Sequence, residues 1–436
     1  MTSSEANKVS AAERYLFSLR NQGSKFGIER MVALVRLLNH PEKDFPIVHV
    51  AGTNGKGSFC AMLEAVLRLS GLKVGMLTSP HLIRLGERIQ INRLETDDRE
   101  INRLVDELKP LSEQIAMADA EDQPSFFELI TAMGFLIFSR EKVDIAVVET
   151  GLGGRLDATN VVSPILSVIT SVGFDHVEQL GGDLASIAIE KAGIIKKDVP
   201  VVIGRMPDEA KEVIRQVAKE RDSEIFEVES FFPGEPQDLP ITSLDGNFQK
   251  WNAATTLVAS QALGDGFGLN EASVRESLRE VEWAGRWQKI QSGDRQIILD
   301  ATHNEEGARA LEDNLASLIG ETKLKPWVIV GTLGEDRAVP LMKTVAKWAQ
   351  GISLVMPGQP RACSFEVLEK AIPSSFSGSI QRDRIEELFP ENDQVVLGKP
   401  HDIVLVTGSI YLIGEVLARI KNEAASEGLN ALQDWL

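Results

Sequence analysis

The stretch Val50-Ala51-Gly52-Thr53-Asn54-Gly55-Lys56-Gly57-Ser58 follows the apolar run Pro46-Ile47-Val48-His49-Val50 and precedes an amphipathic pattern from Phe59 to Leu69. That order predicts a buried strand, a glycine loop and a helix. Such a loop turns successive backbone N–H groups toward an anion at a helix N-terminus, where the helix dipole favours negative charge. Lys56 adds a mobile cation and Ser58 a hydroxyl for Mg²⁺, so the implied ligand is a nucleoside triphosphate. The commonest phosphate loop, G-x-x-x-x-G-K-[ST], would place a glycine at Val50 and no residue between the lysine and the hydroxyl. Here Gly57 intervenes. The bland alternative is a glycine turn that merely joins a buried strand to a helix.

A chain of 436 residues is too long for one ordinary core and predicts two or three domains, one of them large. With 43% hydrophobic and 25% charged residues it reads as a soluble globular protein. The net charge of −18 argues against a general nucleic-acid or anionic-membrane surface, so any phosphate binding is local. Cys60 and Cys363 lie far apart and in no metal-ligand spacing, which argues against disulfides and thiolate zinc. The polar start Met1-Thr2-Ser3-Ser4-Glu5-Ala6-Asn7-Lys8, and the lack of any apolar run near the about 18 residues that span a bilayer, make a cytoplasmic location the expectation.

Residues 9–39 read as helical with a break at Gly23-Ser24-Lys25-Phe26-Gly27. After the phosphate loop, Lys73 to Leu77 predicts a strand that ends in Thr78-Ser79-Pro80-His81. Residues 96–120 read as a charged, solvated helix, and Phe126 to Phe138 as a buried one with Ser125 as N-cap and Glu128 in its first turn. Further strands are expected at Val143 to Val148, Ile165 to Val172 and Val199 to Ile203. Nearly continuous apolar strands alternating with helices indicate a parallel sheet covered on both faces. Residues 227–246 read as loops with a short edge strand, and Gly246 to Leu263 as a helix. Beyond a hinge at Gly285-Arg286, strands at Gln296 to Asp300, Trp327 to Gly331, Ile352 to Met356 and Asp402 to Val406 predict a smaller doubly wound unit. The expected division is 1–284, a linker 285–294, and 295–436.

Glu149 and His176 close buried strands on the side where the phosphate loop opens, a position for site residues in open α/β sheets. A carboxylate and an imidazole there serve as metal ligands or as acid and base; a turn cap and a satisfied loop histidine are the alternatives. Lys191 is unexpected, because its helical neighbours are Ile187, Ala188, Ile194 and Ile195. A lysine on an apolar stripe either pairs with an acid, reacts as a neutral amine with CO₂ to give a metal-binding carbamate, or snorkels from the helix end. Asp300 with His303 and Asn304 places an acid and an imidazole at the end of a strand of the second unit, where an Asn-capped turn is the alternative.

Taken in order, Ala51 to Ser58, Thr78 to Leu82 with Arg84, Glu87 and Arg88, Glu149 to Asn160, Asp175-His176 with Leu180-Gly181, Glu190 to Gly193, Gly285-Arg286, Asp300 with His303-Asn304, and Gly408-Ser409 with Tyr411-Leu412 resemble the folylpolyglutamate synthase and dihydrofolate synthase family of the Mur ligase superfamily. The resemblance runs from about residue 25 to 420. It implies a large N-terminal parallel-sheet ATPase domain that also binds folate, and a smaller Rossmann-like C-terminal α/β domain that serves the glutamate ligation. It implies an ATP-dependent ligase that adds L-glutamate to dihydropteroate, to folate, or to both; from charge and hydropathy no nucleic-acid or membrane partner is expected, and a monomer is the expected state.

By position, the resemblance assigns Asn54, Gly55, Lys56, Gly57, Ser58, Asn252, Arg286 and Asp300 to ATP. Ser58, Ser79, Glu149, His176 and a carboxylated Lys191 would organise two Mg²⁺ ions. Ser79, Arg84, Ser125, Phe126, Phe127 and Asp157 fall on the folate side, as does the turn Gly27 to Arg30. His303 and Ser409 fall on the glutamate side, and Lys56, Lys191 and His303 are the catalytic candidates. The chain departs from the family at Asn92-Arg93, where Asn-Gly is usual, at Ala301-Thr302 in place of Gly-Ala, and at Gly334-Glu335-Asp336-Arg337 in place of an Asp-Lys-Asp segment. Other readings are a different Mur-type amino-acid ligase, or a switch protein that hydrolyses ATP without forming a bond.

Overall fold

A computed structural model of the chain describes residues 11–19, 27–117, 119, 122–234, 238–390 and 394–422. The first sheet contains β1 (Ile47–Ala51), β2 (Val74–Leu77), β3 (Ile89–Ile91), β4 (Leu94–Glu95), β5 (Ile145–Glu149), β6 (Leu166–Ile169), β7 (Val201–Ile203) and β8 (Ile225–Glu227), in the order β4-β3-β2-β5-β1-β6-β7-β8. Central β1 pairs in parallel with β5 on one side and β6 on the other, with Val50 opposite Glu149 and Ala51 opposite Ile169. The carboxyl ends of these three strands therefore lie side by side.

The central strands β1, β2, β5, β6 and β7 are nearly all apolar, with His49, Ser167 and the terminal Glu149 the polar exceptions, because both faces are covered. Ile47, Leu77, Ala146 and Val148 pack into one core with the helices Glu29–Leu37, Asp98–Ala116 and Phe126–Arg140. Their neighbours Val48, Val50, Met76, Val147 and Val168 face the helices Lys56–Leu69 and Asn247–Ala262. At the far side Ile169, Val201 and Ile203 meet the helices Leu184–Ala192 and Asp208–Glu220. The buried helix expected after Ser125 is present, with Ser125 and Glu128 forming a reciprocal capping box.

The second sheet has β9 (Gln288–Ser292), β10 (Arg295–Asp300), β11 (Trp327–Val330), β12 (Gly351–Leu354), β13 (Ser379–Arg382) and β14 (Ile403–Thr407), ordered β13-β12-β11-β14-β10-β9. Ile297, Leu299, Val404 and Val406 pack on the helix Ile410–Ile420, while Ile298, Val328, Val330 and Leu405 pack on Glu305–Thr322 and Glu335–Trp348. The expected parallel pairing is corrected at the edges: β3 runs antiparallel to β2, β4 to β3 and β9 to β10. The β3–β4 turn is made by Asn92 and Arg93, both with positive φ, which is the backbone a tight hairpin needs. The expected break at residues 23–27 lies, except for Gly27, outside the described residues. Among the described residues no helix is long and apolar enough to cross a membrane, and Cys60 and Cys363 are free and buried.

Candidate active site

The chain leaves β1 at Ala51, turns through Gly52 to Gly55 and enters the helix at Lys56. Glycine is required at the tightest places. Gly55 has φ +84°, and a Cβ there would lie 2.5 Å from Asn252 Oδ1; a Cβ on Gly52 would lie 2.0 Å from Thr170 Oγ1. The Thr53 N–H donates to the Ser171 carbonyl at 2.9 Å and the Asn54 N–H to Ser171 Oγ at 2.9 Å, so the loop is held by the end of β6. Lys56 Nζ donates to the Gly52 carbonyl at 3.0 Å, folded back along the loop it would serve. From the helix Asn247–Ala262, Gln249 donates to Ser58 Oγ at 3.2 Å, and Asn252 donates to Gln249 at 2.9 Å.

One cavity gathers the carboxyl ends of both sheets. Gly52 to Ser58, Ser79, Glu149, His176 and Lys191 line it from the first sheet, and Arg286, Asp300, His303 and Ser409 from the second. Asn252 stands behind the loop rather than on this surface, buried against Gly55.

Burial sets the charge states. Glu149, the last residue of β5, is pushed up to about 7 by burial, against the pull of Lys56 and of the Ser79 N–H that it accepts at 3.2 Å. Lys191 is 3% exposed on the stripe that also buries Ile187 and Ala188; burial first, then Lys56, bring its amine down to about 7. His176 is brought down to about 4 by burial, partly opposed by Asp175. Arg286 lies between the fields of Asp300 and Glu149, which oppose the lowering by burial, and Asp300 is raised by burial against its bonds from Thr302.

Several residues at the centre carried no assigned role in the sequence reading. Asp175 accepts from Arg337 at 2.9 Å and from Asn304 at 3.2 Å, and lies 3.5 Å from His303 Nε2. Burial alone would raise its carboxyl, but the hydrogen bond and charge of His303, with His176 and Arg337, hold it far below the usual carboxylate range. Asn54 of the loop donates to Glu306 of the second unit at 2.6 Å. The one signal for Glu306 was its place in the first turn of a helix, which reads simply as complementing the dipole.

The folate-side candidates divide. Ser79 lines the cavity, and Phe127 and Asp157 stand just behind it at Gly151, whose added Cβ would lie 2.8 Å from the Phe127 ring and 3.3 Å from Asp157 Oδ2. Ser125 is committed to its helix cap, and Phe126 is buried between the Phe17 ring at 6.0 Å and the Arg88 guanidinium at 5.2 Å. Arg84 pairs with Glu95 at 3.0 Å away from the cavity, and Arg30, from the turn at Gly27, pairs with Glu128 at 3.1 Å.

The chain is 35% identical over 422 residues to the dihydrofolate synthase/folylpolyglutamate synthase of Bacillus subtilis, a match spanning 92% of this chain and 96% of that one. It belongs to the folylpolyglutamate synthase/dihydrofolate synthase family. Residues 50–230 match the model of the Mur ligase middle domain, which places the family in the Mur ligase superfamily. The folylpolyglutamate synthase of Lacticaseibacillus casei is 32% identical over 409 residues, covering 89% of this chain and 92% of that one. The fold agrees. The structure of E. coli FolC in complex with DHPP and ADP superposes with a TM-score of 0.81 at 28% identity, covering 95% of this chain and 99% of that one. Mycobacterium tuberculosis folylpolyglutamate synthase complexed with ADP and AMPPCP gives 0.80 at 27% identity, covering 95% and 99%.

Proposed function

We propose that this chain is an ATP-dependent ligase that joins L-glutamate to dihydropteroate, to a folate, or to both, through an acyl phosphate. The observation that carries the reading is the single cavity in which a phosphate loop with Lys56 faces Asp300, His303 and Ser409 of the second sheet. In this reading residues 1–284 hold ATP and the pteroyl substrate and 295–436 serve the glutamate, while the hinge expected at 285–294 narrows to Gly285-Arg286, because Gln288–Ser292 is β9 of the second sheet. One chain supplies the whole cavity, so a monomer suffices, and the cytoplasm is the proposed compartment.

A carboxylate is a poor electrophile. Its oxygen first attacks the γ-phosphorus, the bond to the β-phosphate oxygen breaks, and ADP leaves. The loop N–H groups of Gly55 to Ser58 and the Lys56 ammonium lower the cost of charge on the transferring phosphoryl group. Asn252 fixes the loop from behind, while Arg286 and Asp300 hold the nucleotide. The glutamate amine then attacks the acyl carbon, the C–O bond to phosphate breaks, and the amide forms. His303 is the proposed acceptor of the amine proton: its Nδ1–H donates to the Ala301 carbonyl at 2.9 Å, which fixes the tautomer that takes a proton at Nε2, and Asp175, 3.5 Å away, holds the imidazolium so formed. Ser409 orients the glutamate.

The donors present suit Mg²⁺. Ser58, Glu149, a neutral His176 and a carboxylated Lys191 are mostly hard oxygen donors, with Ser79 near a second ion. A buried carboxylate pushed up to about 7 gains by meeting a cation. Among the described residues no three His, Cys, Asp or Glu side chains converge as a metal group, so the proposed set depends on Ser58 and a modified Lys191 beside Glu149 and His176. Bound there, the metal would supply charge neutralisation for the phosphates. An amine at about 7 is in large part neutral near pH 7, so Lys191 is open to adding CO₂ with loss of a proton. On the folate side Ser79, Phe127 and Asp157 are the proposed contacts, supported by Arg84, Ser125 and Phe126.

The acyl phosphate is tested with the pteroyl substrate labelled with ¹⁸O in its carboxylate. Transfer of one label into inorganic phosphate supports the reading; phosphate free of label contradicts it.

A further inference from the structure

His49 occupies the middle of β1 and is fully buried, yet its neighbours on the strand, Val48 and Val50, are the apolar residues such a place favours. An imidazole there needs a reason. Its Nε2 lies 2.8 Å from Thr159 Oγ1, and Thr159 Oγ1 in turn donates to Asp157 Oδ1 at 2.5 Å. Because the hydroxyl proton goes to the carboxylate, the hydroxyl accepts from His49, so the proton of the neutral ring sits on Nε2. Burial keeps that ring neutral by bringing it down to about 3. Its other nitrogen, Nδ1, has no hydrogen-bond partner among the described residues. A buried ring with one nitrogen idle is a net cost that an apolar residue would avoid, so the Nε2–H is the useful part.

The chain of donors ends on one carboxylate oxygen. Asp157 Oδ1 takes both the hydroxyl and the N–H of Thr159, the latter at 2.9 Å, and is saturated within the fold. Oδ2 takes the Leu152 N–H at 2.9 Å and lies on the side of Gly151, which lines the cavity and has no side chain to screen it. Phe127 flanks the same glycine.

We propose that His49 and Thr159 are positioning residues for substrate recognition: the His49–Thr159–Asp157 relay fixes the carboxylate so that Oδ2 meets N–H donors of a flat heterocycle lying against Phe127. This rests on the reading of Asp157 as a contact to the pteroyl substrate. The relay acts in binding and leaves the ATP side untouched.

The test compares steady-state constants of Thr159→Val, Thr159→Ser, His49→Phe and Asp157→Ala in the full chain, with melting temperatures measured alongside. Thr159→Val should raise KM for the pteroyl substrate about tenfold, the worth of one well-placed hydrogen bond, with kcat and KM for ATP within about twofold. Thr159→Ser should restore the wild-type KM, and His49→Phe should move KM in the same direction as Thr159→Val. If Thr159→Val proves unstable, the Ser and Phe variants decide alone. A raised KM in Asp157→Ala together with unchanged KM in Thr159→Val and His49→Phe overturns the relay and leaves the Asp157 contact standing. An unchanged KM in Asp157→Ala overturns the contact itself and the relay with it.

Discussion

Asn54 of the phosphate loop donates its side-chain N–H to Glu306, the second residue of the helix Glu305–Thr322, at 2.6 Å. The bond joins the first-sheet loop to a helix of the second sheet at the cavity that both residues line, and under the proposed function it sets a carboxylate near the triphosphate. Glu306→Gln keeps an acceptor for Asn54 and removes the charge. The expected result is a KM for ATP lowered about threefold to tenfold, in keeping with loss of one like-charge contact in a partly buried site. An unchanged ATP titration would place Glu306 outside the field of the phosphates.

Gly55 holds the loop in a left-handed turn against Asn252. Gly55→Ala adds about 1–2 kcal/mol of backbone strain and a clash with the amide oxygen. KM for ATP should rise at least about tenfold. In an Asn252→Ala background the clash disappears while the backbone strain stays, so the defect should shrink without vanishing.

In the proposed metal set the buried amine of Lys191, once carboxylated, supplies an oxygen ligand. Lys191→Ala should lower turnover about 10²- to 10³-fold, the scale seen on removing one preorganised electrostatic group, and shift the Mg²⁺ requirement upward. Acetate or formate added to the variant should restore part of the rate by standing in for the carbamate. Wild-type rates across a Mg²⁺ titration would remove the carbamate from the mechanism.

Glu415 accepts the Gly358 N–H at 2.7 Å and is pushed up to about 7, by burial first and with a further push from Glu386. A carboxyl whose folded pKa lies above its unfolded value contributes stability that is complete below the unfolded pKa. That stability is lost as pH rises through about 7. Glu415→Gln should therefore melt like the wild type at low pH and gain about 1 kcal/mol at alkaline pH, a figure reduced for partial exposure. Equal melting curves at high pH would show the carboxylate to be solvated.

Much of the first unit was legible because its signals are local. The glycines around Lys56, the apolar strands on either side of Glu149 and the Ser125–Glu128 cap are each decided within a few residues. Lys191 stood out since a cation on an apolar stripe violates the pattern around it, and its burial follows from Ile187 and Ala188. What escaped depends on long separations. Glu306 and Arg337 reach Asn54 and Asp175 only once the two sheets are docked, and alone each reads as a charge at a helix start. The short antiparallel edges β3, β4 and β9 were missed for a related reason: their pairing is set by turns and partner strands, while their own residues alternate too briefly to show a period. His49 hid inside an apolar strand, where only its contact with Thr159 gives it meaning.

The most direct measurement is ATP-dependent incorporation of labelled L-glutamate by the purified protein, run in parallel with 7,8-dihydropteroate and with tetrahydrofolate. The expected result is incorporation into at least one of them, with one ADP and one phosphate released per amide formed and phosphate release that requires glutamate. Phosphate released at the same rate with no amine present, and no label in either product, would contradict a ligase and leave an ATP-hydrolysing switch in its place.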